Sequence, residues 1–251
     1  MSSGKYQKAP ERDPQLEEVL ALHEGGKTRM IVTCKLETVE DLRRVYTPGV
    51  ALVSKLVEAD EAKYRRYTSA GNTVAVVTNG TAVLGLGDIG VLGAMPVMEG
   101  KSAILIKMAD VSSIPVLLDT KDTDAFVETV ERIAKTFGAV LLEDIAAPQC
   151  FEIEDRLKAS LDIPVFHDDQ HGTAVVVLGA LIKAIAITGK TVGELKVVMN
   201  GAGAAGTAIA RYLLGYGVAD VVLCDRKGAL WPGRPEGMNP SKEAIARETN
   251  R

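Results

Sequence analysis

Apolar residues recur along this chain in two rhythms, and past residue 95 the two alternate. Continuous runs at 114–119 (IPVLLD), 139–144 (AVLLED), 163–169 (IPVFHDD), 196–201 (KVVMNG) and 220–225 (DVVLCD) predict strands, and stripes spaced three and four apart predict helices over 96–109, 122–136, 148–160, 172–187 and 203–215. Such alternation implies an α/β fold, a parallel sheet covered by helices. Earlier, Asp13 to His23 predicts a helix with Leu16, Val19 and Leu20 on one stripe, and Thr38-Val-Glu-Asp41 approximates a capping box. This first part reads as ordinary scaffold. Pro48 suits the first turn of a helix through Val50, Leu52, Val53, Leu56 and Val57, which puts Tyr46 just before it. The runs TVAVVT and TAVLGL flank Asn79-Gly80, a strong hairpin signal. The tail from Gly228 is rich in Gly and Pro, then turns helix-like, with no further strand predicted.

At 251 residues the chain accommodates one large or two ordinary domains. The pattern places a boundary near Phe166, giving an N-terminal domain over 1–166 and a dinucleotide-binding domain over 167–251. Only 56 residues follow Leu195, fewer than a complete two-halved dinucleotide fold of about 150 residues requires. The second domain therefore reads as incomplete. A net charge of -4 without a basic block argues against nucleic acid as a partner. The first fifteen residues lack a signal peptide's apolar core, and the three cysteines, Cys34, Cys150 and Cys224, are far apart. A cytoplasmic location with reduced thiols is expected. The greasiest stretch, Thr173 to Ile187, carries Lys183 and is too short to cross a bilayer, so no membrane span is expected. With no CxxC pair, any metal must use His, Asp or Glu.

Several predicted strands end in acid: Asp119, Glu143 with Asp144, Asp168 with Asp169, and Asp225. Ligands of open parallel sheets bind beyond the carboxyl ends of the strands. These acids either cap the following helices or meet around a cleft, where adjacent carboxylates need a cation between them. Oxygen ligands of this kind suit Mg²⁺ or Mn²⁺ better than zinc. HDDQH at 167–171 superficially resembles the HExxH of zinc proteases, but Asp replaces Glu and the helix begins only after the second His. Structural hydrogen bonds are the plainer reading of both histidines.

Two GxGxxG matches occur. GLGDIG at 85–90 follows a strand, but Gly93 and Pro96 are expected to interrupt the helix the motif requires. GAGAAG at 201–206 follows KVVMN, opens a helix, and precedes a strand ending in Asp225, 19 residues beyond Gly206. There the glycines permit the tight turn, the helix N-terminus presents amides to a pyrophosphate, and the acid can bond a ribose hydroxyl. In helix 96–109, Lys101 shares a face with Val97, Ile104 and Leu105. It either snorkels or pairs with an acid, and burial beside other cations would lower its pKa and make it a candidate base. Tyr46 by itself reads as a packing residue.

The blocks YTPGVA (46–51), NGTAVLGLGDIG (79–90), PVMEGK (96–101), LEDIAAP (142–148), FHDDQHGTA (166–174) and VVMNGAGAAG (197–206) together resemble the malic enzymes, particularly the shorter bacterial and archaeal kind. The combination runs from about Asp13 to the C-terminus and is more specific than any one block. The stretch TAV stands where larger animal-type members carry an arginine. The resemblance implies a malic-type N-terminal α/β domain followed by a partial Rossmann-like domain with a parallel sheet. It implies oxidation of L-malate by NAD or NADP and decarboxylation to pyruvate and CO₂. Glu143, Asp144 and Asp169 would hold Mg²⁺ or Mn²⁺, Lys101 would take the hydroxyl proton with Asp168 orienting it, and Tyr46 would protonate the enolate carbon. Gly201, Gly203, Gly206 and Asp225 would hold the adenosine side of the cofactor. Asp225 favours NAD, while Arg226 and Lys227 could accommodate a 2′-phosphate. Family members also continue past this endpoint and are commonly dimers through the N-terminal region, so a homodimer is expected. The alternatives are malolactic conversion to lactate and a non-catalytic module that binds metal or a partner subunit.

Overall fold

The computed structural model describes residues 14–83 and 85–250. Four short helices come first: α1 (Pro14–His23), α2 (Val39–Val45), α3 (Val50–Ala59) and α4 (Tyr64–Tyr67). The predicted start of α1 at Asp13 lies outside the described residues. Thr38 and Asp41 form the expected capping box of α2, whereas Pro48 lies in the turn before α3 rather than in the helix. Neither α2 nor α3 buries a residue. Val19, Leu20, Leu22, Met30, Ile31 and Leu52 are all exposed, so this segment is not an internally packed scaffold.

The body that follows alternates as predicted: β1 (Thr73–Thr78), α5 (Gly90–Ala109), β2 (Ser112–Leu117), α6 (Thr123–Ala134), β3 (Ala139–Leu142), α7 (Gln149–Ser160) and β4 (Val165–His167). The sheet order is β2-β1-β3-β4 and every pairing is parallel. Successive side chains of a strand point to opposite faces, and the core divides accordingly. Ala75, Val77, Val140 and Leu142 pack with Phe126, Val127 and Val130 of α6 and Ile153 and Leu157 of α7, while Val76 and Leu141 pack with Met98 of α5.

Two local expectations fail here. Asn79-Gly80 does not turn a hairpin, because β1 already has parallel neighbours on both edges and offers no antiparallel partner a place. Instead the Gly80 carbonyl accepts the amides of Ile89 and Gly90, folding the loop over the strand end and onto the start of α5. Gly93 and Pro96 do not interrupt α5, which runs continuously from Gly90 with Pro96 inside it. The proline removes only one helical donor, and Leu92, whose carbonyl would have accepted it, is exposed to solvent.

After β4, residues Asp168–Gly172 form one π turn in which the Thr173 amide donates to the Asp168 carbonyl five residues back. Then follow α8 (Thr173–Thr188), β5 (Lys196–Asn200), α9 (Ala204–Tyr216), β6 (Asp220–Asp225), β7 (Gly228–Ala229) and α10 (Pro240–Glu248). β5 and β6 pair parallel, and β7 adds two antiparallel residues beside β6, a strand that the tail's composition concealed. Leu213 of α9, Val221 and Leu223 of β6 and Ile245 of α10 form a second core. The π turn also lengthens the apolar helix: the helical run Asp168–Thr188 has 21 residues, a mean hydropathy of 1.8 and only 6% burial in its most apolar window, so by length and composition alone it could cross a membrane. The apolar stretch Thr173 to Ile187 is by itself too short for that.

Candidate active site

Strand order decides which acids meet. β3 and β4 are neighbours, so the residues just past their carboxyl ends converge, and carboxylate oxygens of Glu143, Asp144 and Asp169 lie within 4.8 Å of one another. Asp119 follows the edge strand β2 and is exposed, apart from this group. The backbone reinforces the cluster. Asp144 adopts a left-handed conformation, φ 54°, and its amide donates to Asp169 Oδ2 at 2.9 Å. A non-glycine residue held there is a local strain of the kind that collects at functional sites.

Lys101 reaches the same place from α5. Its Nζ lies 2.7 Å from Asp168 Oδ2 and 3.2 Å from Glu143 Oε2, so it pairs with acids rather than snorkelling. Burial pulls the Lys101 pKa down, but the Asp168 hydrogen bond and the charge of Glu143 outweigh it, and the net shift is upward. This reverses the expected direction, because the neighbours are carboxylates and not cations. Burial pushes the Glu143 carboxyl up to about 8 against the pull of Lys101, with the charges of Asp168 and Asp169 adding to the rise. Glu143 Oε2 is buried, with Lys101 Nζ 3.2 Å away. A buried carboxylate beside two further acids fits a hard divalent cation: three oxygen donors from two adjacent strand ends.

Neither histidine of HDDQH joins that group, which is the one cluster of three ligand-type residues among those described. The His167 ring is fully buried, its Nε2 3.8 Å from Asp169 Oδ2 and without a hydrogen-bond partner among the described residues, and burial holds its pKa below the ordinary value. His171 Nε2 instead faces Glu154 at 2.8 Å. The zinc-protease reading thus gains no support. Tyr46 caps the C-terminus of α2 and is 66% exposed.

The second glycine-rich turn has the geometry its motif requires. Gly201 has φ 131° and its amide donates to the Cys224 carbonyl at 2.8 Å, tying the ends of β5 and β6 together. Gly203 caps α9. A Cβ at Gly206 would lie 1.8 Å from the Gly201 carbonyl oxygen, so only glycine lets the helix start pack onto the strand end. Gly206→Ala is expected to cost about 1–3 kcal/mol of stability by overpacking and to remove dinucleotide binding, both measurable by thermal melting with and without NAD(P)H.

Asp225 is placed at the end of β6 as expected, but its oxygens are engaged. Arg234 Nη1 and Nη2 donate to them at 2.9 and 2.5 Å, Lys242 Nζ at 2.6 Å and the Lys227 amide at 2.8 Å. These bonds, Arg234 first and Lys242 next, hold its pKa well below the carboxylate range. The signal was the cationic pair in the Gly- and Pro-rich tail, whose fold over β6 the sequence did not reveal.

Residues 25–158 match the malic enzyme N-terminal domain and residues 170–248 the malic enzyme NAD-binding domain. The chain is 52% identical to the bifunctional malic/malolactic enzyme of Bacillus subtilis, over 93% of this chain and 58% of that protein. It is 46% identical to the NADP-dependent malic enzyme of Rhizobium meliloti, over 90% of this chain and 30% of the relative. The crystal structure of the NAD-dependent malic enzyme from Thermotoga maritima superposes with a TM-score of 0.88 at 44% identity, covering 95% of this chain and 63% of that one. The chain thus spans less than two thirds of the length of these relatives.

Proposed function

Because the chain belongs to the malic enzyme family, we propose that it provides the metal- and base-bearing part of an enzyme that oxidises L-malate with NAD or NADP and releases pyruvate and CO₂. The observation that carries this reading is Lys101, paired with Asp168 and Glu143 beside the three-carboxylate cluster. Glu143, Asp144 and Asp169 would hold Mg²⁺ or Mn²⁺, which when bound polarises the substrate's C2 oxygen and offsets the acids' charge. In the neutral form that the charge of a bound divalent cation would favour, Lys101 would take the hydroxyl proton as the C2 hydride passes to the nicotinamide, and Asp168 fixes the Nζ position for that transfer. The C4 carboxylate then leaves as CO₂, and Tyr46 returns a proton to the enolate carbon. Gly201, Gly203 and Gly206 seat the cofactor's pyrophosphate at the start of α9, and Asp225, with its cationic neighbours, faces the adenosine ribose. We place the division between the substrate and nucleotide parts near Phe166.

The test is absorbance of NAD(P)H on mixing the chain with L-malate, Mn²⁺ and NAD or NADP, with an EDTA control. EDTA-sensitive reduction with pyruvate as product supports the proposal, and lactate without net reduction would favour the malolactic reading. That alternative is kept because one relative is a bifunctional malic/malolactic enzyme. No Mn²⁺ binding would remove the metal from the scheme.

The N-terminal segment exposes consecutive large apolar side chains, Met30, Ile31 and Val32 among them, and contiguous exposed apolar surface marks an interaction site. A homodimer through this segment is the expected state. Light scattering at micromolar concentration should report twice the chain mass, and a monomer would refute it.

A further inference from the structure

The turn that carries both Asp168 and Asp169 is gripped from behind by a carboxylate that neither the motif nor the cluster includes. Glu154, on α7, is 4% exposed. Its Oε1 accepts the His167 amide at 3.3 Å and lies 2.8 Å from His171 Nε2, and its Oε2 accepts Gln170 Nε2 at 2.7 Å. Lys158 Nζ, one turn further along α7, approaches Oε1 at 2.7 Å. Three of these four partners belong to HDDQH and bracket the two aspartates. In front, Asp168 Oδ2 faces Lys101, and Asp169 Oδ2 accepts the Asp144 amide. There is little slack between the two sides. A Cβ on Gly172 would fall 2.3 Å from Asp168 Oδ1.

We propose that Glu154 is the positioning residue of this site: by fixing residues 167, 170 and 171 it sets where the Asp169 carboxylate stands relative to Glu143 and Asp144, and where Asp168 meets Lys101. A π turn contains one residue more than an α turn, and its aspartates keep their places only if the surrounding bonds select that winding. Glu154 supplies bonds at both ends of it. A buried carboxylate is otherwise costly, and here Lys158 and the turn's own donors satisfy it. His171 carries the same hold towards the nucleotide half, with its ring 6.1 Å from that of Tyr212 on α9.

This inference rests on the metal reading above, and the experiment separates the two. Free Mn²⁺ is followed by electron paramagnetic resonance during titration of the wild-type chain, Glu154→Gln, Glu154→Leu and the surface control Glu152→Gln, with water-proton relaxation recorded on the bound ion. Outer-shell partners of metal ligands typically contribute about 10–100-fold in affinity. Glu154→Leu should weaken Mn²⁺ within that range. Glu154→Gln keeps the length and one acceptor oxygen, so it should weaken Mn²⁺ less, with far-UV circular dichroism unchanged and greater relaxation enhancement as water replaces a displaced carboxylate. Glu152→Gln should bind as wild type. If the wild-type chain fails to bind at millimolar Mn²⁺, the metal reading falls and takes this inference with it. If the wild type binds and folded Glu154 variants match it in affinity and relaxation, the positioning role alone is overturned. Should Glu154→Leu fail to fold, Glu154→Gln decides the matter by the same criteria.

Discussion

Lys101→Ala should lower malate-dependent reduction of NAD(P) by about 10³-fold or more, the scale expected when a positioned proton acceptor is removed, while Mn²⁺ still binds. The two effects separate because Lys101 touches Glu143 and Asp168, yet contributes no ligand oxygen to the cluster. Its removal takes the nearest cation away from four acids, so the metal-free variant should melt lower and regain the difference when Mn²⁺ is added. Lys101→Arg sharpens the test. A guanidinium can keep the ion pairs with Asp168 and Glu143 but does not deprotonate in proteins, so it should restore metal-free stability without restoring turnover. Steady-state rates beside melting curves read both quantities. Turnover of Lys101→Ala within about tenfold of wild type would eliminate the lysine as the base.

The elements of this site were legible in the sequence to different degrees, and the difference follows the range of the interaction. Apolar runs and stripes are local, and they located β2 to β6 and the helices between them. That acids end the strands was equally visible. Which acids meet depends on strand order, and β2-β1-β3-β4 puts Asp119 at an edge while bringing Glu143, Asp144, Asp168 and Asp169 together. The hairpin reading of Asn79-Gly80 failed for a related reason. A turn signal states how the chain can bend but not whether an antiparallel neighbour has a place, and β1 had none to offer. Glu154 carries no local sequence signal, because its partners are 13 to 17 residues away and meet it only through packing of α7 on β4. The same holds for Arg234 and Lys242, which reach Asp225 by a fold of the tail that its composition did not encode.

Asp169→Asn should remove Mn²⁺ binding and yet leave the metal-free chain as stable as wild type, or more so. The asparagine retains a carbonyl oxygen at the position where Asp169 Oδ2 accepts the Asp144 amide, so the left-handed backbone of Asp144 keeps its support. It also removes one of the charges that push Glu143 towards protonation, which relieves the cluster when no cation is present. For the wild type, Mn²⁺ at a hundred times its Kd stabilises the folded state by about 2.7 kcal/mol. A chain of this size moves by about 2–4 °C per kcal/mol, so melting with Mn²⁺ should occur roughly 5–10 °C higher than melting with EDTA. For Asp169→Asn that difference should vanish. A shift of wild-type size would strike Asp169 from the ligand set, and a fall in the EDTA melting temperature would mean that its charge supports the turn itself. Asp168→Asn supplies the contrast: it loses the nearer of the two charged partners of Lys101 but none of the three ligands, so it should keep the Mn²⁺ shift while losing turnover.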